Sequence, residues 1–317
     1  YPFVAMYDGE FDIDPYSTRG ETYYNVLNNY DVTISLDSGF IVSAPGELYS
    51  SVDDGDITEQ RYILRNARDF SFSASTYYET YQWTAGGIDF EIYSIRELTE
   101  IELQDVKEYV RKSFEVYELY IGEYYYDRFV LELGYIYGME SSGIIYCSDE
   151  ISEGTIVHEI IHQWFFFMIG NDSYNESFLD ESLTTFIASL YYFDLYGIEG
   201  YNGYLDYRDS SKESLEQYWE QYSGSSLLDT PDQMTDGYGF VIYYHGPSLF
   251  RQYVLQFLDN DIEEFARILS VYYDEYEGEV ATIEEFLTLL ELESNIDGTK
   301  EWFYYHLNSL QDVTNTP

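Results

Sequence analysis

Two histidines four residues apart bracket a glutamate in the run Val157-His158-Glu159-Ile160-Ile161-His162-Gln163-Trp164. The chain holds only 4 histidines in 317 residues, so a pair at this spacing around a carboxylate is hard to assign to chance. On an α-helix, residues four apart share a face, and both imidazoles can converge on one ion. Glu159 then falls on the adjoining face, within reach of a water held at that ion. The chemistry this predicts is zinc-assisted hydrolysis, with two neutral imidazoles as ligands and Glu159 as general base.

A hydrolytic zinc takes three protein ligands and keeps one position open. The residues Gly170-Asn171-Asp172-Ser173 read as a loop, and Asn175 is expected to cap a helix bearing Phe178, Leu179, Leu183, Phe186, Ile187 and Leu190 at helical spacing. Glu181 lies on that stretch, 19 positions after His162. A helix, a short loop and an antiparallel helix would return its carboxylate to the imidazoles. One Zn²⁺ held by His158, His162 and Glu181 is therefore expected. Alone, Glu181 would read as a solvated helix carboxylate and the histidines as ordinary helix-face residues; the joint spacing argues otherwise.

The runs HEIIHQW, GND and NESFLDESLTTF together resemble the aminopeptidase N family of gluzincin zinc metallopeptidases, whose pattern is HExxH, eighteen residues, then a ligand Glu in an NEG-like motif. Here Asp180-Glu181-Ser182 occupies the NEG-like place. Upstream, Tyr137-Gly138-Met139-Glu140-Ser141-Ser142-Gly143 is similar to the family's GAMEN segment. The resemblance implies an edge strand on which Glu140 holds a substrate's free amino group, with Gly138 and Met139 in the same substrate-binding segment. Downstream, Tyr243-Tyr244-His245-Gly246 resembles a stretch in which a tyrosine hydroxyl stabilises the oxyanion. Spacing to Gly246 favours Tyr243 for that role over Tyr244. Two positions depart from the pattern: Ser141 stands where GAMEN has Asn, closer to the GMEYPG-type variants of bacterial and archaeal relatives, and His245 replaces the usual Lys.

The match runs from roughly Asp31 to Leu307. It implies zinc-dependent peptide hydrolysis, with an aminopeptidase removing N-terminal residues from peptides. Two alternatives stand beside it: a zinc hydrolase acting on a non-peptide substrate, as one branch of the family acts on epoxides, and a surface adhesin or structural protein keeping the peptidase fold.

The elements that must position these residues can be read in part. Asp31-Val32-Thr33-Ile34-Ser35 alternates, Phe40-Ile41-Val42 resumes the alternation, and Tyr62-Ile63-Leu64 and Phe70-Ser71-Phe72 add short strands. Residues 1–76 are thus expected to be all-β, and Ala44-Pro45-Gly46-Glu47-Leu48 with Arg68-Asp69-Phe70 resembles the end of the family's N-terminal β domain. A chain opening at Tyr1 inside such a domain is expected to be a processed or truncated product. Beyond Thr76, Ile88 to Tyr93 reads as a strand. Leu103, Val106, Val110, Phe114, Tyr117 and Ile121 mark a long amphipathic helix. Phe129 to Leu133 and Gly143 to Cys147 read as strands around the GMESS segment.

After the zinc helices the pattern is helical, with a capping box at Thr282-Ile283-Glu284-Glu285 opening a helix through Leu290. Strands followed by helices argue α+β: residues 77–317 are expected to form a thermolysin-like catalytic domain behind the partial β domain. Ser50 to Gly55 and Ser223 to Ser226 read as loops, Gln311 to Pro317 as a frayed end, and Gln163 and Trp164 as packing for the zinc helix.

Charge sets further bounds. Against 60 acidic side chains stand 14 basic ones, a formal charge of −46, which excludes nucleic acid as a partner because phosphate binding needs clustered Lys and Arg. Self-repulsion on this scale opposes compaction in dilute buffer, so the protein is expected to work in high salt, where the Debye length falls to about 3 Å at 1 M; the alternatives are a surface protein made acidic for solubility or one that stores divalent cations. No apolar run of eighteen residues exists to span a membrane. The acidic composition and the missing Met point to an extracellular or cell-surface enzyme. Lone Cys147 forms no internal disulfide and reads as a buried thiol. Asn171-Asp172-Ser173 and Asn175-Glu176-Ser177 match the glycosylation triplet. Oligomeric state leaves no mark in the sequence.

Overall fold

A computed structural model describes residues 6–7, 10–11, 14–20, 25–214 and 224–308. The chain divides into two compact units. The first holds Asn25–Glu115 and Tyr124–Met168; the second holds Val116–Glu123, the chain from Ile169 onward and the segment between Ala5 and Tyr24. The expected frayed end from Gln311 lies outside the described residues. The architecture is α+β, strands first and helices after, as the sequence order predicts.

The chain opens with a short antiparallel pair, β1 (Met6–Tyr7) and β2 (Glu10–Phe11), which belongs to the second unit. The first unit begins with an antiparallel three-stranded sheet of β3 (Asn28–Asp37), β6 (Ile57–Ala67) and β5 (Glu47–Asp53), in that spatial order, beside a pair formed by β4 (Ile41–Ser43) and β7 (Ser73–Ser75). Its core is Ile34, Val42, Ala44, Tyr62, Leu64, Ala67 and Phe70. Two expectations are corrected here. Ser50 to Gly55 is not all loop, because β5 runs to Asp53; every residue of this edge strand is exposed, so no apolar alternation announces it. Phe70 to Phe72 is not a strand: Phe70 is buried and Phe72 exposed, but pairing with β4 starts only at Ser73.

A mixed five-stranded sheet follows, ordered β11 (Gly138–Ser141), β12 (Ile144–Ser148), β10 (Arg128–Gly134), β9 (Ile88–Ser94), β8 (Glu79–Ala85). β9 and β10 run parallel and are joined by α1 (Glu100–Tyr120), a βαβ crossover. Helix α1 starts at a capping box in which the Thr99 N–H donates to Glu102 at 2.8 Å and the Glu102 N–H donates to the Thr99 hydroxyl at 3.3 Å. Its predicted apolar stripe is buried at Val106, Val110, Phe114 and Tyr117. Phe114 meets Phe90, Phe129 and Trp164 edge-on at centroid distances of 5.0, 4.9 and 5.6 Å. β11 is the outer strand, paired on one side only with β12, and the turn proper is Ser142–Gly143 rather than all of GMESS. Helix α2 (Glu153–Ile161) follows β12 and starts at Ser152, whose hydroxyl accepts from the Thr155 N–H.

The second unit is helical. A π-helical turn, Phe178–Ser182, leads into α3 (Leu183–Ile187) and α4 (Ser189–Ser214), the latter broken at Gly197, where φ is +64°. Short turns α5 (Pro231–Met234) and α6 (Tyr238–Phe240) precede a second π turn, Val241–His245, which runs into α7 (Gly246–Phe257). α8 (Ile262–Tyr276), α9 (Ile283–Ser294) and α10 (Thr299–Leu307) complete it. The Thr282–Glu285 capping box forms as predicted, and α9 continues four residues past Leu290. Phe178 stacks on Phe250 at 4.8 Å, and Phe186, Phe265, Phe286 and Phe303 surround Phe250. Gly224 to Ser226 lies outside any helix. No helix among the described residues is long and apolar enough to cross a membrane.

Candidate active site

His158 and His162 face each other along α2 as the period predicts. Their Nε2 atoms are 3.3 Å apart with the rings at 81°. A tetrahedral zinc with metal–nitrogen bonds of about 2.0–2.1 Å places two ligand nitrogens about 3.3–3.4 Å apart, so the imidazole pair fits that ion. His162 is fully buried; Glu159 is buried beside it. A carboxylate oxygen of Glu159, one of Glu140 and a ring nitrogen of His162 all lie within 4.8 Å of one another.

Glu140 arrives on β11, buried although it sits on the outer strand. The strand can lie this close only because Gly138 has no side chain: a Cβ there would come 2.4 Å from a Glu159 carboxylate oxygen and 2.9 Å from the Thr155 methyl. Gly138 thus acts through space rather than through backbone freedom. Met139, on the opposite face, is 40% exposed, and the loop before it exposes Tyr135, Ile136 and Tyr137. Ser141, the departure from GAMEN, has a specific partner: its hydroxyl donates to Asp69 Oδ2 at 2.8 Å, and the Ser142 N–H donates to Asp69 Oδ1 at 2.8 Å.

Gln163 was expected to pack, and it does more. Its Oε1 accepts from the Gly143 N–H at 2.8 Å, and its Nε2 donates to the Ser141 carbonyl at 3.1 Å. Trp164 packs as expected, edge-on to Phe114. Past the helix, Phe166 holds φ at +103°, a strained conformation for a bulky side chain. The buried Arg68 guanidinium fixes the chain that follows by donating to the Phe167, Met168 and Asn25 carbonyls at 2.8, 3.0 and 2.6 Å.

Glu181 and Asp180 are buried on the first π turn of the second unit. The turn closes when the Leu183 N–H reaches back to the Phe178 carbonyl. Asn175 is not its cap, as expected from sequence, because Ser177 holds the N-cap position and the Asn175 N–H donates to Asp172 Oδ1. Tyr243 and Tyr244, both half-buried, lie on the second π turn. The Tyr243 carbonyl accepts from Arg208 at 3.0 Å, and its ring meets Tyr238 edge-on at 6.1 Å. His245, at the place of the family's Lys, is fully buried.

The two π turns explain each other. The Gly246 N–H bonds back to the Val241 carbonyl, and Pro247 has no N–H, so the backbone leaves the Ile242 carbonyl without a helical donor. The Ser182 hydroxyl supplies it at 2.7 Å. Gly246 must be glycine here, since a Cβ would fall 1.9 Å from Ser182 Oγ.

The sequence profile described as the Peptidase family M1 domain matches residues 138–312, more than half of the chain. The chain belongs to peptidase family M1. This is the gluzincin aminopeptidase N family, whose members are zinc metallopeptidases. Among solved structures, an M1 zinc metallopeptidase from Deinococcus radiodurans superposes with a TM-score of 0.72 at 13% identity, over 92% of this chain and 66% of its own. Its E323A mutant bound to a Tyr-Ser-Ala substrate gives 0.73 over the same shares. Legionella pneumophila aminopeptidase A, in complex with aspartic acid, gives 0.70 at 14% identity over 90% of this chain and 35% of its own. At these identities the likeness concerns fold alone, and this chain spans about two thirds of the Deinococcus proteins' length. No curated protein matches the chain.

Zinc is the cofactor of this family, and the imidazole pair fits it. Of the residues the sequence singled out, the structure brings Glu140, Glu159 and His162 together and sets His158 against His162. It places Glu181 and Tyr243 on successive π turns linked by the Ser182 hydroxyl. Sequence reasoning missed the parts of Asp69, Gln163 and Ser182. Gln163 alone carried a signal, a polar side chain between His162 and Trp164 on an otherwise apolar run. Among the side observations, Cys147 is buried and burial pushes its thiol up; Asn171 is buried with its side chain accepting from Ser173, while Asn175 is exposed.

Proposed function

We propose that this chain hydrolyses peptide bonds with one zinc ion and acts as an aminopeptidase. The observation that carries the reading is the buried Glu140 carboxylate within 4.8 Å of a ring nitrogen of His162 and a carboxylate oxygen of Glu159. In an amino acid the α-nitrogen and carbonyl carbon lie only about 2.5 Å apart. A carboxylate that holds the ammonium this close to the reacting centre therefore selects the first peptide bond.

In this reading His158, His162 and Glu181 hold the ion, a set supported by the imidazole geometry and by the eighteen-residue spacing of the family. Bound there, zinc would supply Lewis-acid polarisation and a lowered pKa for water. Glu159 takes the proton of the attacking water and returns it to the departing amine. Glu140 binds the substrate ammonium, while Gly138 and Met139 lie on β11, an outer strand along whose edge an extended peptide can pair. The Tyr243 hydroxyl donates to the oxygen as charge develops on it.

Elemental analysis should find one zinc per chain, and aminoacyl fluorogenic substrates should be cleaved far faster than N-blocked peptides. Equal rates on blocked peptides would remove the amine-anchoring role of Glu140. Zinc without cleavage of any peptide would favour the adhesin or the non-peptide hydrolase, neither of which any feature of the described residues supports.

The acidity fits work in concentrated salt. Three arginines are each shared between two carboxylates: Arg111 pairs with Glu108 and Glu115, Arg267 with Glu264 and Glu293, Arg96 with Glu102 and Asp149. The remaining excess of negative charge is screened only by ions. The unfolding midpoint should rise from dilute to molar salt; a flat response would defeat the idea.

A further inference from the structure

We propose that Gln163 is a positioning residue for the amine-binding carboxylate, holding Glu140 in register with His162. The proposal rests on the aminopeptidase reading above. Gln163 directly follows His162, at the end of α2, and is fully buried. Its amide spans the β11–β12 turn, accepting from the Gly143 N–H at 2.8 Å and donating to the Ser141 carbonyl at 3.1 Å. The partners settle the orientation of the amide, because an N–H can only donate and a carbonyl can only accept. Neither glutamate nor methionine offers both functions in that place.

The turn is held from its other side as well. Asp69 accepts from the Ser142 N–H and from the Ser141 hydroxyl, each at 2.8 Å, and the Ser142 hydroxyl accepts from the Arg68 N–H at 3.2 Å. Every backbone step from Ser141 to Gly143 thus has a side-chain partner. Glu140 is the next residue along the strand, and Ser141, whose carbonyl Gln163 grips, is the link between them. His162 and Gln163 are consecutive, so the clamp fixes the distance between a metal-ligating imidazole and the ammonium-binding carboxylate. Misplacement by about 1 Å at such a site is enough to cost on the order of a hundredfold in rate. A buried carboxylate on an outer strand, with only one neighbouring strand to hold it, needs this support from elsewhere.

The test is a double-mutant cycle on the zinc-loaded full chain. Gln163→Met keeps length and volume but removes both hydrogen bonds; it is combined with Glu140→Ala, and kcat and KM are measured on matched free-amine and N-acetyl substrates. Zinc content and melting temperature are recorded for each variant. Gln163→Met should retain its zinc, lose on the order of tenfold in kcat/KM on the free-amine substrate and leave the N-acetyl substrate unchanged. Added to Glu140→Ala, it should cost nothing further. Equal losses on both substrates, or losses that multiply in the double variant, would overturn the role of Gln163. Should Gln163→Met not fold, Gln163→Glu, which keeps the acceptor for Gly143, carries the same comparison. A wild-type protein with no preference for the free amine would instead overturn the aminopeptidase reading itself.

Discussion

The helix that carries His158 and His162 and the turns that carry Glu181 and Tyr243 solve the same problem in different ways. α2 is a regular helix with a capped start, and the i, i+4 spacing alone brings two imidazoles face to face. Glu181 and Tyr243 instead sit on π turns, where one extra residue per turn re-aims the side chains that follow. In the first case the geometry belongs to the local period. In the second it depends on a carbonyl without a donor, a proline without an N–H and a serine 60 residues away that makes good the loss. Regular spacing shows in the sequence how its side chains are aimed; a π turn does not.

The largest effect should come from α2. Glu159→Gln is expected to leave zinc bound and lower kcat by about 10²- to 10⁴-fold, the usual contribution of a general base. A variant with full activity and full zinc would take that role from Glu159. On the second π turn, Tyr243→Phe should lower kcat by about 10²- to 10³-fold with KM little changed, while Tyr244→Phe stays near wild type. The reverse ranking would move the oxyanion role to Tyr244 and with it the register of the turn.

The link between the π turns can be strained directly. Gly246→Ala places a methyl against the Ser182 hydroxyl and should destabilise by about 1–3 kcal/mol, seen as a lower urea midpoint. Combining it with Ser182→Gly removes the colliding side chain and should recover part of the loss. Additive effects in the double variant would mean that the two residues do not meet.

The smallest effect concerns pH. Glu176, in the loop before the first π turn, accepts from the Ile283 N–H at the start of α9, and burial pushes its carboxyl up from 4.5 to about 7, with Asp172 and Glu285 adding to the rise. The fold therefore prefers the protonated form. Its contribution to stability is complete below about pH 4.5 and is lost as pH climbs through about 7. Glu176→Gln should flatten the fall in melting temperature over that window relative to wild type. An unchanged slope would show that burial of this group is not what couples the loop to pH.

Much of this was legible in the chain. The alternation in β3, β6 and β9, the apolar stripe of α1 and the capping box at Thr282 are local patterns, and each appears where the sequence put it. β5 escaped because an edge strand exposed on both faces has no alternation to show. Asn175 looked like a cap, but the helix starts two residues later, at Ser177, without any side-chain cap. For the active site, residue types and spacing named His158, Glu159, His162 and Glu181, and the family resemblance named Glu140. They did not disclose that Glu140 would be buried, nor that Gln163 and Asp69 would grip the turn beside it.

The sequence by itself determined the facing imidazoles, the order of strands and helices, and membership of a zinc peptidase family, because each of these follows from neighbours a few residues apart or from a spaced motif. The tertiary structure alone decided how close β11 lies to Glu159, which amide clasps its turn, and where the helices after it widen into π turns. Those outcomes depend on space and on unmet hydrogen-bonding groups. Whether Gly138 leaves room, or whether the Ile242 carbonyl finds a donor, is settled only when residues distant in the chain are packed together.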